Sequence, residues 1–122
     1  MPRRNTRLRV EDMLEAIHRI EAHSAGLTAD QFRQDQKTLD AVIRNIEVIG
    51  EAAIHLDDDV TALMPAVPWT DVRAMRHVLA HEYFGVDAGI VWETVVRDLP
   101  VLRRDLEEFL KQLPQNDRPT SD

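Results

Sequence analysis

From Asp35 to Leu56 the chain places apolar residues at Leu39, Val42, Ile43, Ile46, Ile49, Ala53 and Leu56. Steps of three and four put all of them on one side of an α-helix but scatter them over both faces of a strand. A helix of this length spans roughly 30 Å, the width of a small domain, so the rest of a short chain must pack along it. The flanking segments obey the same period. Val10, Met13, Leu14, Ile17 and Ile20 mark a helix from about Leu8 to Ser24. Ile90, Val91, Trp92, Val95 and Leu99 mark another, started by Asp87. A last helix carries Val101, Leu102, Leu106, Phe109, Leu110 and Leu113, with Pro100 in its first turn, where a missing N–H costs nothing. The fold class is therefore all-α. The expected architecture is an up-and-down bundle of four main helices plus a short additional helix.

Punctuation supports this reading. Gly26 suits the left-handed end of the first helix. Thr28 and Gln31 have capping-box spacing, so a turn or a new helix can start there. Gly50 interrupts the longest helix, and the close approach of another backbone would explain it. Asp57, Asp58 and Asp59 read as a solvated acidic exit, since adjacent carboxylates cannot converge on one ion without a dedicated loop. Residues 8–113 form one helical domain. Residues 1–7 are expected to be a flexible basic arm and residues 114–122 a disordered tail.

With 122 residues there is room for one core. No cysteine is present, which removes disulfides, thiolate metal sites and a cysteine nucleophile. No apolar run is long enough for a membrane span, and no signal-peptide core follows the basic start, so the cytoplasm is the default location. The net charge of −7 argues against a general nucleic-acid coat. Positive charge is instead local, on Arg3, Arg4, Arg7 and Arg9 and in the stretch from Trp69 to Tyr83.

That stretch, bounded upstream by Pro65 and Pro68, reads as one helix capped by Thr70, with Trp69 as a core or interface anchor. At about 100° per residue, Val72, Met75, Val78 and Leu79 fall on one side. Arg73, Arg76, His77, Ala80, His81 and Tyr83 fall on the other. A merely solvated face more usually carries Glu, Lys and Gln. Here guanidinium forks match phosphate oxygens, imidazoles move protons near neutral pH, and a phenol adds a donor and a ring that can stack on a base. RNA supplies its own 2′-hydroxyl nucleophile, so such a face could cleave it without a metal by moving protons and stabilising a charged phosphorane. His18 and His23 read as surface residues, and no ligand set for a metal stands out.

Arg76, four residues, His81, one residue and Tyr83 match the Arg-x4-His-x-Tyr motif, and the chain resembles the HepT-like branch of the HEPN superfamily (higher eukaryote and prokaryote nucleotide-binding). The blocks Asn45-Ile-Glu-Val-Ile-Gly-Glu-Ala-Ala53, Pro68-Trp69, Met75-Arg76, His81-Glu-Tyr-Phe84 and Val91-Trp92 follow in the family's order over roughly residues 8 to 112. The resemblance implies an all-helical, homodimeric ribonuclease toxin that works without metal or cofactor. It implies an MntA-like nucleotidyltransferase antitoxin as partner, which in some systems adds AMP to the motif tyrosine, here Tyr83. It makes Arg76 the phosphate-binding residue, His81 the general acid or base, and Tyr83 a substrate contact. Arg73 is a further substrate-binding candidate on the same face.

One position departs from the family pattern. Asn commonly follows the motif arginine, and His77 stands there. An amide orients its neighbours but does not titrate. His77 either joins His81 as a second catalytic imidazole, one helical turn away, or fills the orienting role of Asn, or faces the other protomer. Two rival classes stay open. One is a non-catalytic HEPN binding module for nucleotide or for the nucleotidyltransferase. The other is a structural bundle in which the motif side chains form a surface contact. Arg44, Asn45, Glu47 and Glu51 either support the cleft or face solvent or a dimer partner.

Overall fold

A computed structural model describes residues 2–77 and 87–113, with side chains from Thr6 onward. The described residues are all-α, without a strand. None of their helices is long and apolar enough to cross a membrane.

Helix α1 (Pro2–Ser24) buries Val10, Met13, Leu14, Ile17 and Ile20, as their spacing predicts. It begins earlier than expected and takes in the span read as a flexible arm. Thr6 explains the extension. It is buried and stands one turn ahead of Val10 on the same stripe. Arg7, 3.7 Å from Glu11 at i,i+4, continues the helix on its polar side. Gly26, with φ 78°, turns the chain.

Helix α2 (Ala29–Gln34) carries the expected capping box. The Gln31 N–H donates to the Thr28 hydroxyl at 3.1 Å, and the Thr28 N–H donates to the Gln31 side chain at 3.0 Å. Asp35 then caps helix α3 (Gln36–Ile54), accepting from the Thr38 N–H at 3.1 Å and the Thr38 hydroxyl at 2.7 Å. These bonds favour the ionised form and hold the Asp35 carboxyl below its usual range. The α3 stripe from Leu39 to Ala53, with Leu56 just beyond the helix, is buried throughout. One flank of α3 packs on α1 and the other on the motif segment.

Asp57, Asp58 and Asp59 are exposed and open the one-turn helix α4 (Asp58–Thr61), where carboxylates suit the positive helix end. Helix α5 (Trp69–Ala74) leads into a 3₁₀ turn (Met75–His77). Helix α6 (Ala88–Glu93) starts on Asp87, whose carboxylate accepts from the Gly89 N–H at 2.8 Å and the Ile90 N–H at 3.3 Å.

Helices α6 and α7 (Leu99–Gln112) are joined through a π turn (Thr94–Asp98), where separate helices were expected. Pro100 is the reason. It cannot donate to the carbonyl four residues back, so the ladder widens ahead of it, and the Leu99 N–H reaches Thr94 O instead. Trp92 rests on Phe32 with ring centroids 5.1 Å apart, which fixes α6 on α2. Leu102, Leu106 and Phe109 are buried, while Val101, expected in the same stripe, is 46% exposed. Arg103 Nη1 donates to Glu21 at 2.8 Å and ties α7 to α1. The expected tail, 114–122, lies outside the described residues.

Candidate functional site

Trp69 starts the motif segment. Its indole N–H donates to Met64 O at 3.1 Å and its backbone N–H to Val67 O at 2.9 Å, and the ring is buried. The anchor reading of Trp69 therefore holds. With Trp69 pinned in the first helical position, Pro68 becomes the N-cap and Val72 N bonds its carbonyl at 3.0 Å. Thr70 falls inside the first turn and not at the cap assigned to it. Val72 points into the core, as expected.

The segment runs antiparallel to α3. Arg73 Nε donates to Ala53 O and Arg73 Nη2 to Leu56 O, both at 3.4 Å, and Asp58 lies 3.8 Å from Nη2. These carbonyls belong to the C-terminal end of α3, where a cation is favoured by the helix dipole. Arg73 is thus a clasp on that end. Three residues further on the two backbones touch. A Cβ at Gly50 would stand 2.3 Å from Arg76 N, 2.9 Å from the Met75 carbonyl carbon and 3.0 Å from Arg76 Cα. No side chain fits there, and the obstacle is main chain, which cannot swing aside. The glycine that weakens the longest helix is what admits the motif backbone.

The expected single α-helix over residues 69–83 tightens at this contact. Helix α5 ends at Ala74 and Met75–His77 is 3₁₀, while residues 78–83 of the expected helix lie outside the described residues. Arg73, in α5, and Arg76, in the turn, both reach α3, at Ala53 and Leu56 and at Glu51 respectively. Arg76 Nη1 lies 4.0 Å from Glu51 Oε1, with 42% of the side chain exposed. The other Glu51 oxygen lies 3.4 Å from His55 Nε2. A guanidinium, a carboxylate and an imidazole therefore follow one another along the exposed side of α3. Exposed pairs of this kind are worth at most about 1 kcal/mol, so Arg76 can exchange Glu51 for a phosphate at small cost.

His77 is exposed at the end of the turn. His81, Tyr83 and the spacing between the two motif histidines lie outside the described residues. Of the α3 polar residues, Arg44 and Glu51 are exposed and Glu47 is half-buried. Asn45 is buried, its amide donating to Ala41 O at 2.9 Å, and so belongs to the helix interior and not to a solvated face. Sequence reasoning missed His55. The available signal was its i,i+4 spacing from Glu51, itself next to the glycine that seats Arg76.

A profile of the family described as "Ribonuclease HepT-like" matches residues 13–112. A protein of Methanocaldococcus jannaschii named for an inferred RNase activity, MJ0127, is 37% identical over 96% of this chain and 97% of its own. "Probable ribonuclease HepT" of Thermococcus cleftensis is 41% identical over 84% of this chain and 93% of its own. A protein of Caldanaerobacter subterraneus, TTE0752, also named for an inferred RNase activity, is 32% identical over 84% and 92%. No solved structure matches. With the profile spanning most of the chain and the relatives aligned over nearly their full lengths, the chain belongs to the HepT-like family.

Proposed function

We propose that the chain is a metal-independent endoribonuclease that acts as the toxin of a cytoplasmic toxin–antitoxin pair. The observation that supports this most directly is the seat of Arg76. Its backbone is wedged against Gly50, while its guanidinium stands half-exposed beside an exchangeable carboxylate, in a family whose members carry ribonuclease names.

The chemistry would proceed as follows. Arg76 binds the scissile phosphate and stabilises the charge that builds on the phosphorane. The substrate 2′-oxygen attacks phosphorus, its proton passes to a base, and the 5′-oxygen leaves with a proton from an acid. His81 takes one of these proton-transfer roles and His77 the other. Arg73 adds a positive field on the same face and favours the RNA backbone. Tyr83 helps to place the substrate. A homodimer would bring two such faces together across a two-fold axis and form a cleft from what is a shallow surface in one copy. An MntA-like nucleotidyltransferase antitoxin would silence the toxin, by capping it or by placing AMP on Tyr83. That phosphodiester would sit where the RNA phosphate is wanted and neutralise Arg76.

The test is growth of a bacterial host expressing the chain alone, beside His81→Ala and Arg76→Ala, with total RNA examined. Arrest and RNA loss with the parent only is the expected result. Normal growth and intact RNA with all three, at confirmed soluble expression, would replace this reading with a non-catalytic module that binds nucleotide or the nucleotidyltransferase, which His77 in the place of Asn favours.

A further inference from the structure

Two adjoining hollows of about 240 and 220 Å³ lie between helix α7 and the connection that delivers the chain to α5. They share Ala66 and Asp105 and so form one groove. Its floor is apolar, from Val67, Val72, Leu99 and Leu102 in the first hollow to Met64 and Phe109 in the second. Pro65 and Pro68 stiffen its wall and present no N–H. Leu63, 68% exposed, and Val101, 46% exposed, add apolar surface along its edges. This is more than scattered surface hydrophobicity.

The rim is acidic. Asp71, Asp98, Asp105 and Glu108 line the groove, and none of them forms an ion pair with a cation among the described residues. Arg97, a cation on the same lining, is already engaged by Glu93 at 3.2 Å. Other carboxylates without an ion pair among the described residues, such as Asp12, Asp40 and Glu47, lie apart from this groove, while Glu11 with Arg7, Glu15 with Arg19 and Glu21 with Arg103 are matched.

We propose that this groove is a docking site for a basic amphipathic segment of a partner protein. Apolar side chains of that segment would fill the two hollows, and its Lys or Arg residues would pair with the four carboxylates. The charge pattern selects this occupant. RNA and anionic lipid would set phosphates against the carboxylates. A second copy docking across a two-fold axis would set the same acidic rim against itself. A cationic amphipathic polypeptide satisfies both the floor and the rim. The groove lies on the side of α5 that carries Val72 and Met75, whereas Arg73 and Arg76 face α3, so a docked partner and bound RNA use different surfaces.

The test uses the full chain and a fluorescein-labelled helical peptide of about fourteen Leu and Lys residues, patterned to give one apolar and one basic face. A peptide with Glu in place of Lys is the control. Binding is read by anisotropy at about 0.15 M salt and located by backbone amide shifts. Saturable binding of the Lys peptide, with shifts confined to residues 63–75 and 97–112, is expected. Asp98→Lys with Asp105→Lys should weaken it about tenfold, and Asn at both positions should weaken it less. Asp12→Lys with Asp40→Lys, the same charge change on α1 and α3, should leave it within about twofold. Equal weakening by both Lys pairs, shifts outside the groove, or no binding would overturn the proposal. So would a concentration-dependent oligomer of the free chain that the groove variants abolish, which would assign the groove to a second copy.

Discussion

Helices α1 and α3 pack on each other through side chains, whereas the 3₁₀ turn after α5 meets α3 backbone to backbone at Gly50. In the first contact Val10 and Ile17 of α1 and Val42 and Ile49 of α3 are fully buried, and the two helices meet along much of their length. In the second, Gly50 removes the spacer and Arg76 N comes in where a Cβ would be. Aliphatic packing tolerates small adjustments, since neighbouring side chains can repack around a change. Backbone-on-backbone packing tolerates far less, because neither surface has rotamers. The molecule thus holds its fold with the adaptable contact and its candidate site with the rigid one. The experiments that break or sharpen this contrast run from the fold to the site.

The largest loss of stability is expected in the adaptable contact. Ile17→Ala should cost about 2–5 kcal/mol, through lost transfer energy and the cavity left behind. RNA cleavage per folded molecule should stay near the parent value, as chemical denaturation and a cleavage assay on the folded fraction would show. Gly50→Ala reverses the pattern. Alanine gains about 1 kcal/mol of helix propensity, but the clash with main chain should outweigh it, for a net loss of about 1–3 kcal/mol. Displacing Arg76 by about 1 Å should then cut cleavage roughly 100-fold, out of proportion to the stability change. If Gly50→Ala is as active as the parent, the backbone contact does not position the site and the contrast fails.

Much of this division was legible beforehand, and its limits have physical causes. The stripes of α1 and α3, the capping box at Thr28, the Asp87 cap and the left-handed Gly26 each depend on residues close in sequence, and each appears as expected. Gly50 was also readable, because a glycine in a strong helix demands a reason. The 3₁₀ turn at Met75–His77 and the π turn before Pro100 were not. The first is set by a contact between residues far apart in the chain, and the second by a helix that continues through a proline instead of restarting at it. At the site, residue types pointed to Arg76, but the wheel alone could not show that Arg73 grips the end of α3 or that His55 joins Glu51. Side-chain hydrogen bonds to carbonyls on another helix leave no periodic trace.

Arg73 tests the clasp directly and sits between the two kinds of contact. Arg73→Ala removes the bonds to Ala53 O and Leu56 O but leaves the Gly50 contact in place. A loss of about 1 kcal/mol is expected, since the side chain is part-exposed and the bonds are long. Cleavage should fall by about tenfold, mainly through KM, because the register of Arg76 survives while the local positive field weakens. A collapse of kcat comparable to that of Gly50→Ala would mean that the clasp, and not the glycine, holds Arg76.

The smallest effect belongs to the N-terminus of α3, remote from the site but on the helix that both contacts share. Asp35 is held below the ordinary aspartate value near 3.8 by its bonds from Thr38. Between the folded and the unfolded value, the unfolded chain binds more protons, so stability rises with pH across that window. The contribution is complete above the unfolded value and is lost as acid carries the pH down through the folded one. Asp35→Asn keeps a competent cap and removes the titration. The variant should melt slightly below the parent at neutral pH, and the gap should close as the pH is lowered through the range near and under 3.8. Cleavage at neutral pH should be unchanged if stability at this end of α3 is separate from the position of Gly50. A parallel loss of activity would show instead that the start of the helix sets the register of its glycine, and that the two contacts on α3 are not independent.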